Sequence, residues 1–334
     1  MSKEYCNFAP VVIPTLCRSS CFVQCIESLA KCEGANKTDV YIGLDYPSND
    51  HQWKGYEIIL NYLNTAKLPF KSLNVIKRES NLGVYGPQSN LNSLCNQLWK
   101  DNDRLIISED DNIFSPNFLK FMNKGLELFK DDKTVDSICG YLNLNYKDIK
   151  TNGNTYFRCP CACCWGMGIW KDRIEELNKI STKYFRNSLS FKNIVKTIKL
   201  GRNTFLAYLA SMCPVKCFWM NDVNMTIRMV IDDKCQIVPT TSLVRNIGVM
   251  SGENFTGCAY EIASLFLSQE ISSEKDFHFI GTGNEYQCLN IQRWVKNELL
   301  FHKKFHWTTW QEVLKKTIKR VIKIIMGDFG WTPK

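Results

Sequence analysis

Through the first 110 positions, short apolar runs alternate with longer stretches whose apolar residues recur every three or four positions. The first pattern predicts strands and the second amphipathic helices. APVVIPT (9–15) reads as a strand and Ser19 to Lys31 as a helix. DVYIGLD (39–45) is a second strand, followed by a helix from about His51 to Thr65. SLNVIKR (72–78) is a third; NLGVYG then turns the chain into a helix from about Gln88 to Trp99, and DRLIIS (103–108) is a fourth strand. Such repeats predict a parallel sheet wrapped by helices, with ligands bound beyond the carboxyl ends of its strands.

The fourth strand runs into Glu109, Asp110 and Asp111 and then SPNF, where Ser115 can cap and Pro116 can occupy the first turn of a helix. Beyond about residue 140 the pattern loosens. CPCACCWGMGIW (159–170) reads as a buried strand before a helix from Lys171, helices run through roughly 190–212, and CQIVPTTSLVRNIG (235–248) alternates strand and loop. With no repeat and no low-complexity linker, the simplest organisation is one domain over 1–300, a nucleotide-binding half at about 9–140 and an acceptor-side half at about 141–260, followed by a tail at 301–334.

Composition narrows this picture. Of 334 residues, 45% are hydrophobic and 22% charged, which fits a folded soluble chain rather than a disordered one. No leader-like apolar stretch and no run of about 18 apolar residues occurs, so the expectation is a cytoplasmic protein, with peripheral attachment to the inner face of the plasma membrane the variant to consider. Its 16 cysteines are then thiols, many of them core residues. Cys159, Cys161, Cys163 and Cys164 lack the spaced pairs of a zinc site, and strand alternation would turn the first three toward the core.

The net charge of +9 is uneven: residues 301–334 hold eight Lys and Arg against Glu312 and Asp328. The rest of the chain is only weakly basic, which argues against a nucleic-acid-binding body. Trp310, Val313, Leu314, Thr317, Ile318, Val321, Ile322 and Ile325 form one helical stripe, with lysines beside and opposite it. A basic amphipathic helix over 310–325 could lie on an anionic membrane, or pack on its own domain or on a second subunit of a homo-oligomer.

Three like charges at a strand end repel one another unless something positive sits among them. Mg2+ or Mn2+ would suit, since both take carboxylate oxygens and substrate phosphates; a solvated turn is the plainer reading. Other strand ends face the same way, with Thr15 and Arg18 after the first, Asp45 after the second, and Arg78, Asn81 and Gly83 after the third. A carboxylate can accept from a base N–H, an Arg can meet a phosphate, and a Gly lets backbone approach closely. Singly each reads as structural; together they sketch a site for a nucleoside diphosphate.

The stretches PVVIPTLCR, IGLD, NLGVYG and LIISEDDNIFSPNFLKF, with CWGMGIWKDRIEEL and WMNDV...P...S...NIG further on, resemble inverting glycosyltransferases of the GT-A fold, of the N-acetylglucosaminyltransferase I type and the bacterial family-two type. The likeness spans about 9–250 and implies a Rossmann-like mixed, mostly parallel sheet with flanking helices, here with a C-terminal amphipathic helix added. It implies Asp111 as ligand of Mn2+ or Mg2+, Glu109 and Asp110 nearer ribose and sugar, Trp165 and Gly166 on the acceptor side, and Asp222 as the base that deprotonates the acceptor hydroxyl. The partners implied are a nucleotide-sugar donor, a UDP-sugar first among them, and a glycan or lipid-linked acceptor. As a helix cap, Asp222 would have a structural role instead. Two other functions are a non-catalytic glycan-binding scaffold on the same fold and a nucleotidyltransferase, although the latter would want a basic Gly-rich loop where PTLCRSS has no Gly.

Overall fold

The structure, a computed structural model, describes residues 8–83, 88–143, 153–212, 221–248 and 260–282, together with 315, 318 and 322. The first predicted repeats are present with ends shifted by one or two residues: β1 (Val11–Thr15), α1 (Ser19–Ala30), β2 (Asp39–Leu44), α2 (Asp50–Thr65), β3 (Ser72–Lys77), α3 (Asn90–Leu98) and β4 (Arg104–Ile107). Helix α1 buries Cys21, Phe22, Cys25, Ile26 and Leu29 at helical spacing. Asn49 caps α2 by accepting from the His51 N–H, and Ser89 caps α3 by accepting from Asn92.

The acids do not lead straight into a helix. A short strand, β5 (Asn112–Phe114), intervenes, and α4 (Phe118–Leu128) begins two residues after Pro116. Ser115 therefore contributes differently from a side-chain cap: its carbonyl accepts the Phe118 N–H at 3.0 Å and its hydroxyl donates to Asn117 Oδ1 at 2.5 Å. The elements that follow are β6 (Val135–Cys139), β7 (Tyr156–Cys159), β8 (Met167–Trp170), α5 (Lys171–Leu177), α6 (Thr182–Asn187), α7 (Phe191–Lys199), α8 (Arg202–Ser211), α9 (Asn221–Ile231), β9 (Cys235–Pro239), β10 (Val244–Asn246) and α10 (Tyr260–Leu267). The single strand expected over 159–170 is thus two strands separated by a loop that carries Cys161, Cys163 and Cys164, so their placement is not a matter of strand alternation.

Eight strands form one sheet in the order β3-β2-β1-β4-β8-β6-β9-β7. Among the described residues, β8 and β7 run against the other six, which gives the mixed, mostly parallel α/β sheet that was expected. Strands β1, β4 and β6 are almost wholly buried, as strands covered on both faces must be. Helix α3 packs on β1 and β2, and α4 on β6 and β8. A separate antiparallel ribbon joins β5 to β10, with Asn112 opposite Asn246.

The chain divides into two compact units, one of Met1–Cys159, Cys163–Glu175 and Cys235–Gln287, the other of Pro160–Ala162, Glu176–Lys234 and Cys288–Lys334. Among the described residues no helix is long and apolar enough to cross a membrane. The predicted tail helix lies outside the described residues except at Lys315, Ile318 and Ile322, which are helical and exposed.

Arg173, only 2% exposed, fastens the first unit behind the sheet. Its guanidinium lies 4.8 Å from the Trp170 ring centroid and donates to the carbonyls of Lys130 (2.7 Å), Asp132 (3.3 Å) and Val135 (3.4 Å), with Asp172 as counter-ion. Replacement by Met would keep the apolar stem but remove these donors, although the Asp132 carbonyl would still accept the Val135 N–H at 3.0 Å. Arg173→Met should lose about 3 kcal/mol in denaturant unfolding, and a loss well under ~1 kcal/mol would refute this account.

Candidate active site

The partner that the acidic run requires is Arg18. Strand β1 ends at Thr15 beside β4, with Val12 opposite Ile107, and this register brings the residues after both strands together. Thr15 Oγ1 donates to Asp110 Oδ2 at 2.7 Å. The Arg18 guanidinium bridges both carboxylates, Nη2 to Asp110 Oδ1 and Nη1 to Asp111 Oδ2, the second at 2.5 Å. Asp110 and Asp111 are buried, whereas the Arg18 side chain keeps 30% of its surface exposed.

Burial is the largest influence on the Arg18 and Asp110 charges. It works against the Arg18 cation, yet Asp110 and Asp111 outweigh it and hold the guanidinium pKa above its ordinary value. For Asp110, burial together with Asp111 overcomes Arg18 and Thr15 and pushes the carboxyl up to about 6. Glu109 lies at the exposed end of the run.

Helix α1 supports the loop from beneath. Cys25 Sγ donates to the Glu109 carbonyl at 3.6 Å, and Ser28 Oγ accepts the Phe114 N–H at 3.0 Å. Burial, reinforced by Asp110 and Asp111, keeps the Cys25 thiol protonated. From the other side the β5–β10 ribbon delivers Asn246, whose Nδ2 donates to Asp111 Oδ1 at 2.7 Å and to Asn112 Oδ1 at 3.1 Å. Asn246 Oδ1 accepts the Gly248 N–H at 3.0 Å, and the Ile247 N–H donates to the Asp111 carbonyl at 2.8 Å. A Cβ at Gly248 would fall 1.8 Å from Asp111 Oδ2 and 2.9 Å from Arg18 Nη1, so only glycine fits there.

A second cluster gathers at the adjoining strand ends, where the Asp45 N–H donates to the Thr15 carbonyl at 2.9 Å. Asp45 is buried and accepts three backbone N–H groups, from Tyr46 (2.9 Å), Leu82 (2.9 Å) and Gly83 (3.0 Å). Gly83 has φ of +68°, a conformation that favours glycine. Asn81 Nδ2 donates to the Tyr46 carbonyl at 2.6 Å. Arg78 turns toward α3, with Nε 3.0 Å from Asn90 Oδ1, while Asn90 Nδ2 reaches the Gly43 carbonyl at 2.7 Å. Asp45, Arg78, Asn81 and Gly83 therefore build and brace this edge.

Trp165 and Gly166 take packing roles. The Trp165 ring meets Tyr141 edge-on at 4.7 Å and Phe266 at 5.7 Å, and Gly166, at φ +69°, has Phe118 and Val244 where a Cβ would go. Asp222 opens α9 in the second unit, and its participation in a common site with Asp111 is a proposal. Sequence reasoning passed over Asn90 and Asn246; for the latter the run RNIG, which carries both Asn246 and Gly248, was the available signal.

Two adjacent buried carboxylates offer the hard oxygen donors that Mg2+ or Mn2+ takes. Here all four of their oxygens already accept from Thr15, Arg18 or Asn246. Among the described residues no group of three or more His, Cys, Asp or Glu is placed to hold a metal ion. Arg18 supplies positive charge in this arrangement, and a carboxylate oxygen that accepts one hydrogen bond keeps a second lone pair for a cation.

No family model and no curated protein sequence matches the chain. Among solved structures it is similar to S. aureus TarS 1–349, at 13% identity over 78% of this chain and 71% of that one, with a TM-score of 0.39. The same TarS segment in complex with UDP-GlcNAc gives 14% identity, 80% and 68% coverage and a TM-score of 0.41. The mannosyltransferase PcManGT from Pyrobaculum calidifontis, in complex with GDP-Man and Mn2+, gives 10% identity, 79% and 80% coverage and 0.39. Likenesses at this level assign no chemistry to this chain.

Gly248→Ala should push Asp111 off Arg18 and cost about 1–3 kcal/mol by overpacking, measurable by denaturant unfolding; an unchanged midpoint would show that the loop absorbs a methyl group. The raised Asp110 value has a definite sign. A carboxyl held at about 6 in the folded chain, above its unfolded value, contributes stability that is present at low pH and lost as pH rises through 6. The thermal midpoint of the wild type should therefore fall relative to that of Asp110→Asn as pH is raised from roughly 4 to 7. Parallel profiles would contradict this assignment.

Proposed function

We propose that the chain is a glycosyltransferase that takes a sugar from a nucleotide-sugar, a UDP-sugar first among the candidates, and passes it to a hydroxyl of a glycan or lipid-linked glycan. The observation that carries this reading is the Thr15–Arg18–Asp110–Asp111–Asn246 cluster at the carboxyl edge of parallel strands, beside the loop braced by Asp45. Ligands of open α/β sheets bind at that edge. Arg18 is suited to a diphosphate: two of its donors hold the acids, which fixes the guanidinium, and its exposed part faces outward with donors to spare. The buried acids thus act as positioning residues for a cation that stays partly exposed.

The reaction is a single displacement. Asp222 accepts the proton of the acceptor hydroxyl, the hydroxyl oxygen forms its bond to the anomeric carbon, and the bond from that carbon to the diphosphate oxygen breaks, with inversion. The leaving group departs with the electron pair, and Arg18 stabilises the charge that gathers on it. A divalent ion, where one is used, would be held by Asp111, whose oxygens also accept from Arg18 and Asn246, and would add to the positive charge that Arg18 sets against the diphosphate.

A thermal-shift panel of UDP, GDP, CMP and dTDP, each with and without Mn2+, tests the proposal. One nucleotide should stabilise the wild type, and that shift should vanish in Arg18→Ala and Asp111→Ala but persist in Asp222→Asn, which should lose transfer alone. No shift with any nucleotide, or equal shifts in all four proteins, would sink the transferase reading. A shift that requires Mn2+ would show that a divalent ion takes part in holding the diphosphate.

A further inference from the structure

Helix α7 is packed with its polar side inward. Thr197 is fully buried, its Oγ1 donating to the Asn193 carbonyl at 2.9 Å, while Phe191 is 81% and Ile198 52% exposed. At about 100° per residue, Phe191, Ile194, Val195 and Ile198 share an arc ~100° wide. Lys192 and Lys199, both exposed, follow one flank of that arc, and Lys196 lies further round, tied to Asp233 at 2.6 Å. Contacts with α8 and α9 account for the buried side; at the centre of the arc Phe191 and Ile198 are exposed, with Ile194 and Val195 half-buried at its edges, and among the described residues no element covers Phe191 and Ile198.

The surrounding charge indicates what would cover it. From Leu177 to Asn221 there is no acidic residue, against Lys179, Lys183, Arg186, Lys192, Lys196, Lys199, Arg202 and Lys216. This stretch carries +8 and residues 301–334 carry +6, so the rest of the chain is net −5. Among the described residues, Lys183, Lys192, Lys199 and Arg202 have no acidic partner. A cover made of the chain's own basic tail, or of the same face of a second copy, would set like charges together. A soluble polyanion would satisfy the lysines and leave Phe191 and Ile198 in water.

We propose that the α7 face docks on an anionic lipid surface, with Phe191, Ile194, Val195 and Ile198 among the acyl chains and Lys192 and Lys199 at the headgroups. This is how short basic amphipathic helices lie in an interface. The surface is distinct from residues 310–325 and does not depend on the transferase reading, because lipid binding needs no nucleotide.

The test is flotation of the full chain with vesicles of phosphatidylcholine alone and with about one-third phosphatidylglycerol, at low and high salt. Binding should require the anionic lipid and weaken in salt. Phe191→Ser/Ile198→Ser, which leaves the tail and every lysine intact, should weaken it at least about tenfold. Phe191→Ser alone, at a position exposed enough to spare the fold, should give a smaller loss in the same direction. The proposal is overturned if the wild type does not float, or if the variants float as it does, so that the tail alone suffices. It is also overturned if a dimer in solution disappears with the double variant, or if heparin but not vesicles is bound irrespective of Phe191 and Ile198.

Discussion

The candidate site depends on one guanidinium. Asp110 and Asp111 are adjacent, buried and alike in charge, an arrangement that low-dielectric surroundings penalise heavily without a counter-charge. Arg18 meets both at once, and it can do so because β1 and β4 pair in parallel and release their following residues at the same edge. Thr15, Asn246 and the glycine at 248 then fill the remaining positions around the acids. The same contacts that neutralise the carboxylates hold the Arg18 head in place, so the electrostatic solution to folding also fixes the cation that the proposed function sets against a diphosphate.

The β5–β10 ribbon is what makes the enclosure possible. Its strands are only three residues long, yet they carry Asn246 more than a hundred positions along the chain to the second oxygen of Asp111. Backbone hydrogen bonds flank that contact on both sides, through the Asn112–Asn246 pair and the Ile247 N–H. A loop held by this many hydrogen bonds is pre-organised, as a site that must present fixed charges requires.

How much of this was legible in the sequence follows from which interactions are local. The strands and helices of the first hundred residues show period-two and period-3.6 patterns, and the structure places them within a residue or two. Strand β6 was missed because Asp136 and Ser137 interrupt its apolarity, although both are fully buried. β5 and β10 are too short to show any period. The acidic run, Arg18 and Thr15 were each recognisable as site residues, but the pairing of Arg18 with the acids spans more than ninety positions and appears in no local pattern. A metal ion was therefore the counter-charge that the local pattern could suggest, and the contacts of Trp165 with Tyr141 and Phe266 were equally absent from any local pattern.

The charge pattern follows a different logic from the core. Folding requires charges to be solvated or paired, and the first unit does this with pairs such as Lys71–Asp39 and Arg158–Asp132. Residues 177–221 hold eight cations and no anion, and both this stretch and residues 301–334 belong to the second unit. Folding alone does not call for such segregation, since interspersed acids would reduce self-repulsion. An exposed Phe191 and Ile198 beside unpaired lysines adds a second unfavourable feature in the same place. Water accommodates the lysines but not the apolar arc, and a neutral apolar partner would do the reverse. A negatively charged bilayer surface accommodates both, and a lipid-linked acceptor would give an enzyme of the proposed kind a reason to be held there.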